Sequence, residues 1–181
     1  MFEQANQLRM ISRRFIEEFT SSVELVDYRK GQQWLSVGQH SSQLILIDKG
    51  AMASSRPYRY TDCVSMVFND TDAVFSPESY FLQHPSDQDF FFLTDSTVYN
   101  LERRTLDALS VKYDDMQFIL SHYLAQANIR STRHGFMLAC HSPAEKFSYA
   151  MDELGQAFRL LTREQQASFL GISRRTLSEL L

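Results

Sequence analysis

Cysteine is nearly missing from this 181-residue chain, which holds only Cys63 and Cys140. Two thiols so far apart make no local metal-ligand pair and cannot hold a four-cysteine iron–sulfur cluster. They are expected to be buried free thiols. No apolar run approaches the ~20 residues that a membrane helix needs. The opening stretch "MFEQANQLRMISRRFIEEF" is amphipathic and lacks the uninterrupted apolar centre of a secretion signal. A cytoplasmic protein with no membrane partner is therefore expected. Proline (4) and glycine (6) are too sparse to build a flexible linker, so the C-terminal part should pack closely on the rest. Phosphate loops, dinucleotide fingerprints and nucleophile elbows are absent. Ser76, Glu78 and His84 lack the surroundings of a hydrolase site. His40, His84, His122, His134 and His141 are scattered and offer no third ligand to a metal. Neither a catalytic residue nor a metal site is expected, so the chain does not read as an enzyme.

Positive charge is also short, with a net charge of −4, which is unusual for a protein that coats nucleic acid. Its distribution says more than its sum. From Gln156 to Leu181, Arg159, Arg163, Arg174 and Arg175 face only Glu164 and Glu179. The tail thus carries +2 and the remainder −6.

What is present is apolar patterning that changes period twice. Leu8, Ile11, Phe15, Ile16 and Phe19 recur at helical steps. After Thr20, short runs such as "QLILID", "CVSMVF", "DFFFLT" and "STVYNL" alternate with turns at Gly31, Gly38 and Gly50. That rhythm predicts an antiparallel roll or jelly roll over about Val23–Arg103. Within it, Ser76 as cap and Pro77 as first residue mark one short helix. From Thr105, read as an N-cap, the positions Leu109, Tyr113, Met116, Leu120, Tyr123, Ala127 and Arg130 step by four and three. Such a seam predicts one helix of ~30 residues and ~45 Å, to about Phe136 or Met137, paired with a second copy. Ser142, Pro143 and Glu145 then open another helix with Phe147, Met151, Leu154 and Phe158 on its apolar side.

The closing stretch "LTREQQASFLGISRRTLSELL" reads as two short helices. Thr162 and Gln165 form a capping box for the first, Gly171 allows the turn, and Ser173 caps the second, which Leu177 anchors. Small Ala167 permits close crossing. Arg174, Arg175 and Ser178 are left outward near the start of the second helix, where a recognition helix meets base edges. Arginine can hold guanine by two hydrogen bonds or grip a phosphate. A plain hairpin with a solvated charged face is the alternative reading.

This stretch resembles the helix-turn-helix of the Crp/Fnr family of bacterial transcription regulators, in particular a branch with the pattern x-IASYLGI-x-x-ETLSRI. "YRKGQQWLSVGQHSSQLILIDKG" is similar to the family's turn-rich opening. "ESYFLQHPSDQDFFFLTDSTVYNLERRTLDAL" resembles the same branch's later roll segment. The similarity runs over nearly the whole chain in order. It implies an α+β protein: residues 1–104 a cyclic-nucleotide-binding-like β-roll with an N-terminal helix, 105–141 a long dimerisation helix, and 142–181 a truncated, all-α helix-turn-helix domain. By position it makes Ser173, Arg174, Arg175 and Ser178 the base- and phosphate-contacting surface, with Thr162 and Arg163 at the start of the supporting helix. Glu179 departs from the family's common arginine, and no wing strands follow, so weaker DNA binding is expected.

Members that bind cyclic AMP or GMP use Gly-Glu and then Arg followed by Ser or Thr. Here Ser76 and Pro77 take the first pair of places and Asp87 and Gln88 the second. No Lys or Arg occurs between Tyr60 and Glu102. An anionic phosphate would meet net negative charge there. Cyclic AMP or GMP is therefore not expected as a cofactor. The pocket is expected to be closed by Phe90, Phe91 and Phe92, or to take an apolar or cationic effector. The expectation is a homodimeric DNA-binding regulator, paired through helix 105–137 and bound to double-stranded DNA. The alternative is an effector-binding or protein-interaction module whose DNA-binding domain has degenerated.

Overall fold

The computed structural model describes residues 12–59 and 61–181; Leu8 and Ile11 of the expected first helix lie outside them. Helix α1 (Arg13–Ser22) starts where the Ser12 hydroxyl accepts from the Phe15 amide, and it buries Phe15 and Phe19. Eight strands follow: β1 (Glu24–Tyr28), β2 (Gln33–Leu35), β3 (Gln43–Lys49), β4 (Met52–Tyr58), β5 (Thr61–Phe68), β6 (Ala73–Val74), β7 (Asp89–Phe92) and β8 (Ser96–Glu102). They make two four-stranded sheets, ordered β1-β8-β3-β6 and β2-β7-β4-β5, and every pairing is antiparallel. Between β6 and β7 lies α2 (Pro77–Leu82), capped by the Ser76 side chain as expected.

"QLILID" is apolar at four successive positions, Leu44 to Ile47, because β3 is covered there on both faces. Ile45 and Ile47 point between the sheets, onto Met52, Phe90, Phe92 and Val98. Leu44 and Leu46 point outward, into a second cluster with Phe15, Phe19, Leu101, Leu106, Leu109, Met116 and Ile119. At the β3–β4 turn Gly50 has φ +121°, and any Cβ there would fall onto Ser96. Gly31 and Gly38 also adopt positive φ, as their turns require.

The single helix expected from Thr105 is two. Helix α3 (Arg103–Lys112) begins two residues before Thr105, with Glu102 at its cap position. Helix α4 (Asp114–Cys140) follows a break at Tyr113, whose backbone is extended (φ −137°, ψ 119°). Tyr113 is held by α1: its hydroxyl donates to Glu18 over 2.7 Å, and its ring meets Phe15 edge-on. Lys112 Nζ also donates to Glu18, and the Lys112 ammonium first, with the Tyr113 hydroxyl second, holds the Glu18 carboxyl below its ordinary range. Asp114 and Asp115 suit the first turn of the new helix.

The expected seam is present but turned inward. Leu109 and Met116 are buried in the sheet's outer cluster, with Tyr113, Leu120 and Tyr123 packed against it. Arg130 pairs with Asp72 at 2.7 Å. Burial, with Asp72 nearby, pushes the Tyr123 hydroxyl up to about 12. These positions cover the chain's own roll, because a sheet with an apolar outer face needs a layer on it. On the opposite side of α4, Phe118, His122, Ala125, Ile129, Thr132 and Phe136 repeat at the same alternating spacing. Ile129 is 42% and Phe136 61% exposed.

Four helices complete the chain: α5 (Pro143–Leu154), α6 (Gln156–Leu160), α7 (Arg163–Leu170) and α8 (Arg174–Glu179). The Ser142–Glu145 capping box forms, and Gly155 at φ 51° separates Phe158 from the helix expected to carry it. The helices cover the outer face of the second sheet, where Ala53, Val64 and Val67 pack with Met137, Phe158, Ala167 and Leu170. Phe91 points to this side, half-buried, while Phe90 and Phe92 fill the space between the sheets. Only two of those three rings therefore close the roll's interior, as strand alternation requires. Neither cysteine is buried: Cys63 is half-buried and Cys140 exposed, the latter at the end of α4.

Candidate nucleic-acid interface

The two closing helices are set by short-range hydrogen bonds. Thr162 Oγ1 accepts from the Gln165 amide at 3.2 Å, and Gln165 Oε1 accepts from the Thr162 amide at 2.9 Å. Helix α7 ends in the left-handed Gly171 (φ 59°). The Gly171 and Ile172 amides there donate to the Ser168 and Ala167 carbonyls. Ser173 Oγ then accepts from the Thr176 amide at 3.0 Å and starts α8. That helix ends at Glu179 rather than at the last residue, with Leu177 as its buried anchor. Leu181 is 61% exposed.

Arg174 and Arg175 lie outward at the start of α8. Arg174 has no ion-pair partner among the described residues, whereas Arg175 Nε meets Glu179 Oε1 at 3.1 Å. That pair is highly exposed, so it stabilises little and opens at little cost. Ser178 Oγ donates to the Arg174 carbonyl. The Thr162 and Ser173 hydroxyls cap their own helices. A capping hydroxyl that accepts one amide still has capacity for a further partner.

Three residues that place this surface carry no sequence signal. Gln166 is 5% exposed; it donates to the Phe158 carbonyl and accepts from Arg163 Nη1, which steers that guanidinium. Ser168 Oγ accepts from the Val64 amide at 3.0 Å and joins α7 to β5. His134, on α4, stacks on the Phe169 ring at 4.3 Å, with Nε2 at 2.9 Å from the Phe169 carbonyl. Burial pushes the His134 imidazolium below its ordinary range. Polar side chains that reach across elements leave no spacing pattern in the sequence.

In the roll, the residues at the cyclic-nucleotide positions are used locally. Ser76 is 1% exposed and caps α2. A cation does reach this place, although its own segment has none. Arg56, from β4, sits 3.1 Å from Asp87 and 3.5 Å from Glu78. Strand pairing brings it there from outside the stretch without Lys or Arg. Its guanidinium is matched by two carboxylates, so it offers no unpaired charge. Among the described residues, no three His, Cys, Asp or Glu gather as a metal set, and no helix is long and apolar enough to cross a membrane.

Neither a family model nor a characterised protein sequence matches the chain. Solved structures do. FixK2 from Bradyrhizobium japonicum superposes with a TM-score of 0.75 at 14% identity, over 87% of this chain and 82% of that one. CLP from Xanthomonas campestris, a c-di-GMP-responsive global regulator, does so with 0.73 at 17% identity, over 93% and 91%. CooA from Carboxydothermus hydrogenoformans gives 0.69 at 14% identity, over 98% and 80%. The fold is that of the Crp/Fnr regulators. The likeness extends through the roll, α4 and the closing helices. At these identities it is a likeness of fold.

Proposed function

We propose that this chain is a homodimeric transcription regulator that reads DNA with α7 and α8. The observation that carries the reading is Arg174, outward and unpaired among the described residues, at the start of the second helix of a helix-turn-helix. In this arrangement Arg174 and Arg175 face the major groove and Ser173 and Ser178 flank them. Thr162 and Arg163 meet a backbone phosphate from the start of α7. The fold supports the reading, since the structures it resembles are regulators.

The dimer forms through the outward stripe of α4, from Phe118 to Phe136, rather than through the seam that covers the roll. Two such helices side by side set the recognition helices about one DNA turn (~34 Å) apart, which suits a near-palindromic site. The roll acts without cyclic AMP or GMP, because Arg56, the cation that reaches those positions, already faces two carboxylates, Glu78 and Asp87, and a phosphate there would meet net negative charge. A micromolar dissociation constant for cyclic AMP would contradict that part.

The direct test is fluorescence anisotropy with the promoter beside the protein's own gene, at several salt concentrations. Sequence-selective binding that weakens as salt rises is expected, with Arg174→Ala reducing it. The alternative, a degenerate DNA-binding domain in an interaction module, is favoured by Glu179, which pairs with Arg175, and by the net charge of −4; it predicts no selective binding at any salt.

A further inference from the structure

Phe158, 1% exposed, and Leu161, 4% exposed, lie under an open cleft of about 530 Å³ in the C-terminal helices. Phe147 and Met151, half-buried on α5, form its wall. Phe147 meets Phe158 edge-on at 6.0 Å. Arg159, at the end of α6, and Arg163, at the start of α7, line the same cleft. They are four residues apart, across the extended corner at Leu161–Thr162. No aspartate or glutamate is among the lining residues.

We infer that this cleft is a binding site for a small amphipathic carboxylate, with an apolar chain against Phe147, Met151, Phe158 and Leu161 and its head group at Arg159 and Arg163. The volume lies within the range usual for small-molecule sites, roughly 300–1,000 Å³. Apolar walls favour a hydrocarbon body, and Met151 adapts to its shape. The two guanidiniums supply charge-assisted hydrogen bonds, and a carboxylate is the anion whose geometry they match. The roll's interior offers no comparable room at its centre, where Ile45, Ile47, Met52, Phe90 and Phe92 are each 2% exposed or less. The site so defined lies within the C-terminal helices rather than between the two sheets. Arg163 is shared with the proposed phosphate contact, so carboxylate and DNA compete; this consequence alone rests on the DNA reading.

Isothermal titration calorimetry of the full chain, without DNA, tests the site with decanoate below its micellar concentration, against decanol and acetate. Saturable decanoate binding is expected, with decanol about tenfold or more weaker, the loss of a charge-assisted hydrogen bond, and acetate silent. Arg159→Ala should weaken decanoate by a similar factor, with Arg159→Lys recovering part of it. Met151→Trp should fill the cleft and abolish binding while circular dichroism stays unchanged. Absent binding, equal affinity for decanol, or decanoate binding indifferent to both Arg159→Ala and Met151→Trp would overturn the inference. So would self-association that Met151→Trp removes, which would assign the cleft to a second copy. In the DNA arm, decanoate should raise the apparent dissociation constant of the wild type but not of Met151→Trp. Should DNA fail to bind at all, the calorimetry still decides the site.

Discussion

Arg130 and Asp72 lie 2.7 Å apart with side chains only 22% and 23% exposed; Arg175 and Glu179 lie 3.1 Å apart but 90% and 63% exposed. The first pair joins α4 to the turn between β5 and β6. The second joins one turn of α8 to the next. In the roll, Arg56 likewise faces the chain's own carboxylates, Glu78 and Asp87. In the tail, the one such contact is loose, and Arg174 beside it is open. The same residue type holds architecture where solvent is thin, as at Arg130, and remains available where it is plentiful, as at Arg174, because screening decides what an ion pair contributes.

Four substitutions and one titration would break or sharpen this contrast. Arg130→Ala should have the largest effect on folding. It strands Asp72 and removes the guanidinium over the Phe68 ring. A loss of about 1–3 kcal/mol is expected in urea denaturation, below the ~3–5 of a fully buried pair, since about a fifth of each side chain remains wet. Arg174→Ala should do the reverse: DNA affinity falls by about 1–3 kcal/mol, while the denaturation midpoint barely moves. A comparable loss of stability would place Arg174 in the architecture instead.

Gly171→Ala tests the joint between the two regions. Its φ of +59° disfavours a side chain, and a Cβ would come within 2.9 Å of Leu138 Cδ2. About 1–2 kcal/mol of stability should be lost. Glu179→Gln should be the mildest substitution, changing stability by no more than ~0.5 kcal/mol. It frees Arg175, so DNA affinity should rise and the salt dependence steepen; unchanged binding would show that Arg175 does not reach the duplex.

The titration concerns His134. Burial lowers its folded-state value below the ordinary 6.5, so the unfolded chain takes up the proton first as pH falls. The stability that neutral His134 contributes is fully present above 6.5 and declines as pH drops below it. Thermal midpoints from pH 7.5 downward should show this decline in the wild type and a shallower one in His134→Phe. An NMR titration placing His134 at or above 6.5 would remove the basis for it.

Local chemistry was legible in advance. Ser76 with Pro77, Ser142 with Glu145, Thr162 with Gln165, Ser173 and Gly171 all mark the helix ends that they were read to mark. Each works through hydrogen bonds or a backbone angle within a few residues, so sequence spacing alone specifies it. The strands of the roll were legible for a similar reason, although "DFFF" could not reveal which rings face inward. Tyr113 fits the spacing of the seam, yet α1 holds it and ends α3 there. The Asp114–Asp115 pair is the local sign that a new helix starts there.

The sequence by itself determined the order of elements, their caps and turns, the apolar faces needing cover, and the concentration of unmatched arginine near the end. Tertiary structure alone decided which stripe of α4 covers the roll and which is left outward, since both repeat at four and three. It also brought Arg56 to Asp87, Ser168 to Val64 and His134 to Phe169. Spacing along a chain constrains contacts one helical turn or one strand pair away; those between distant segments exist only once packing has closed the loops between them.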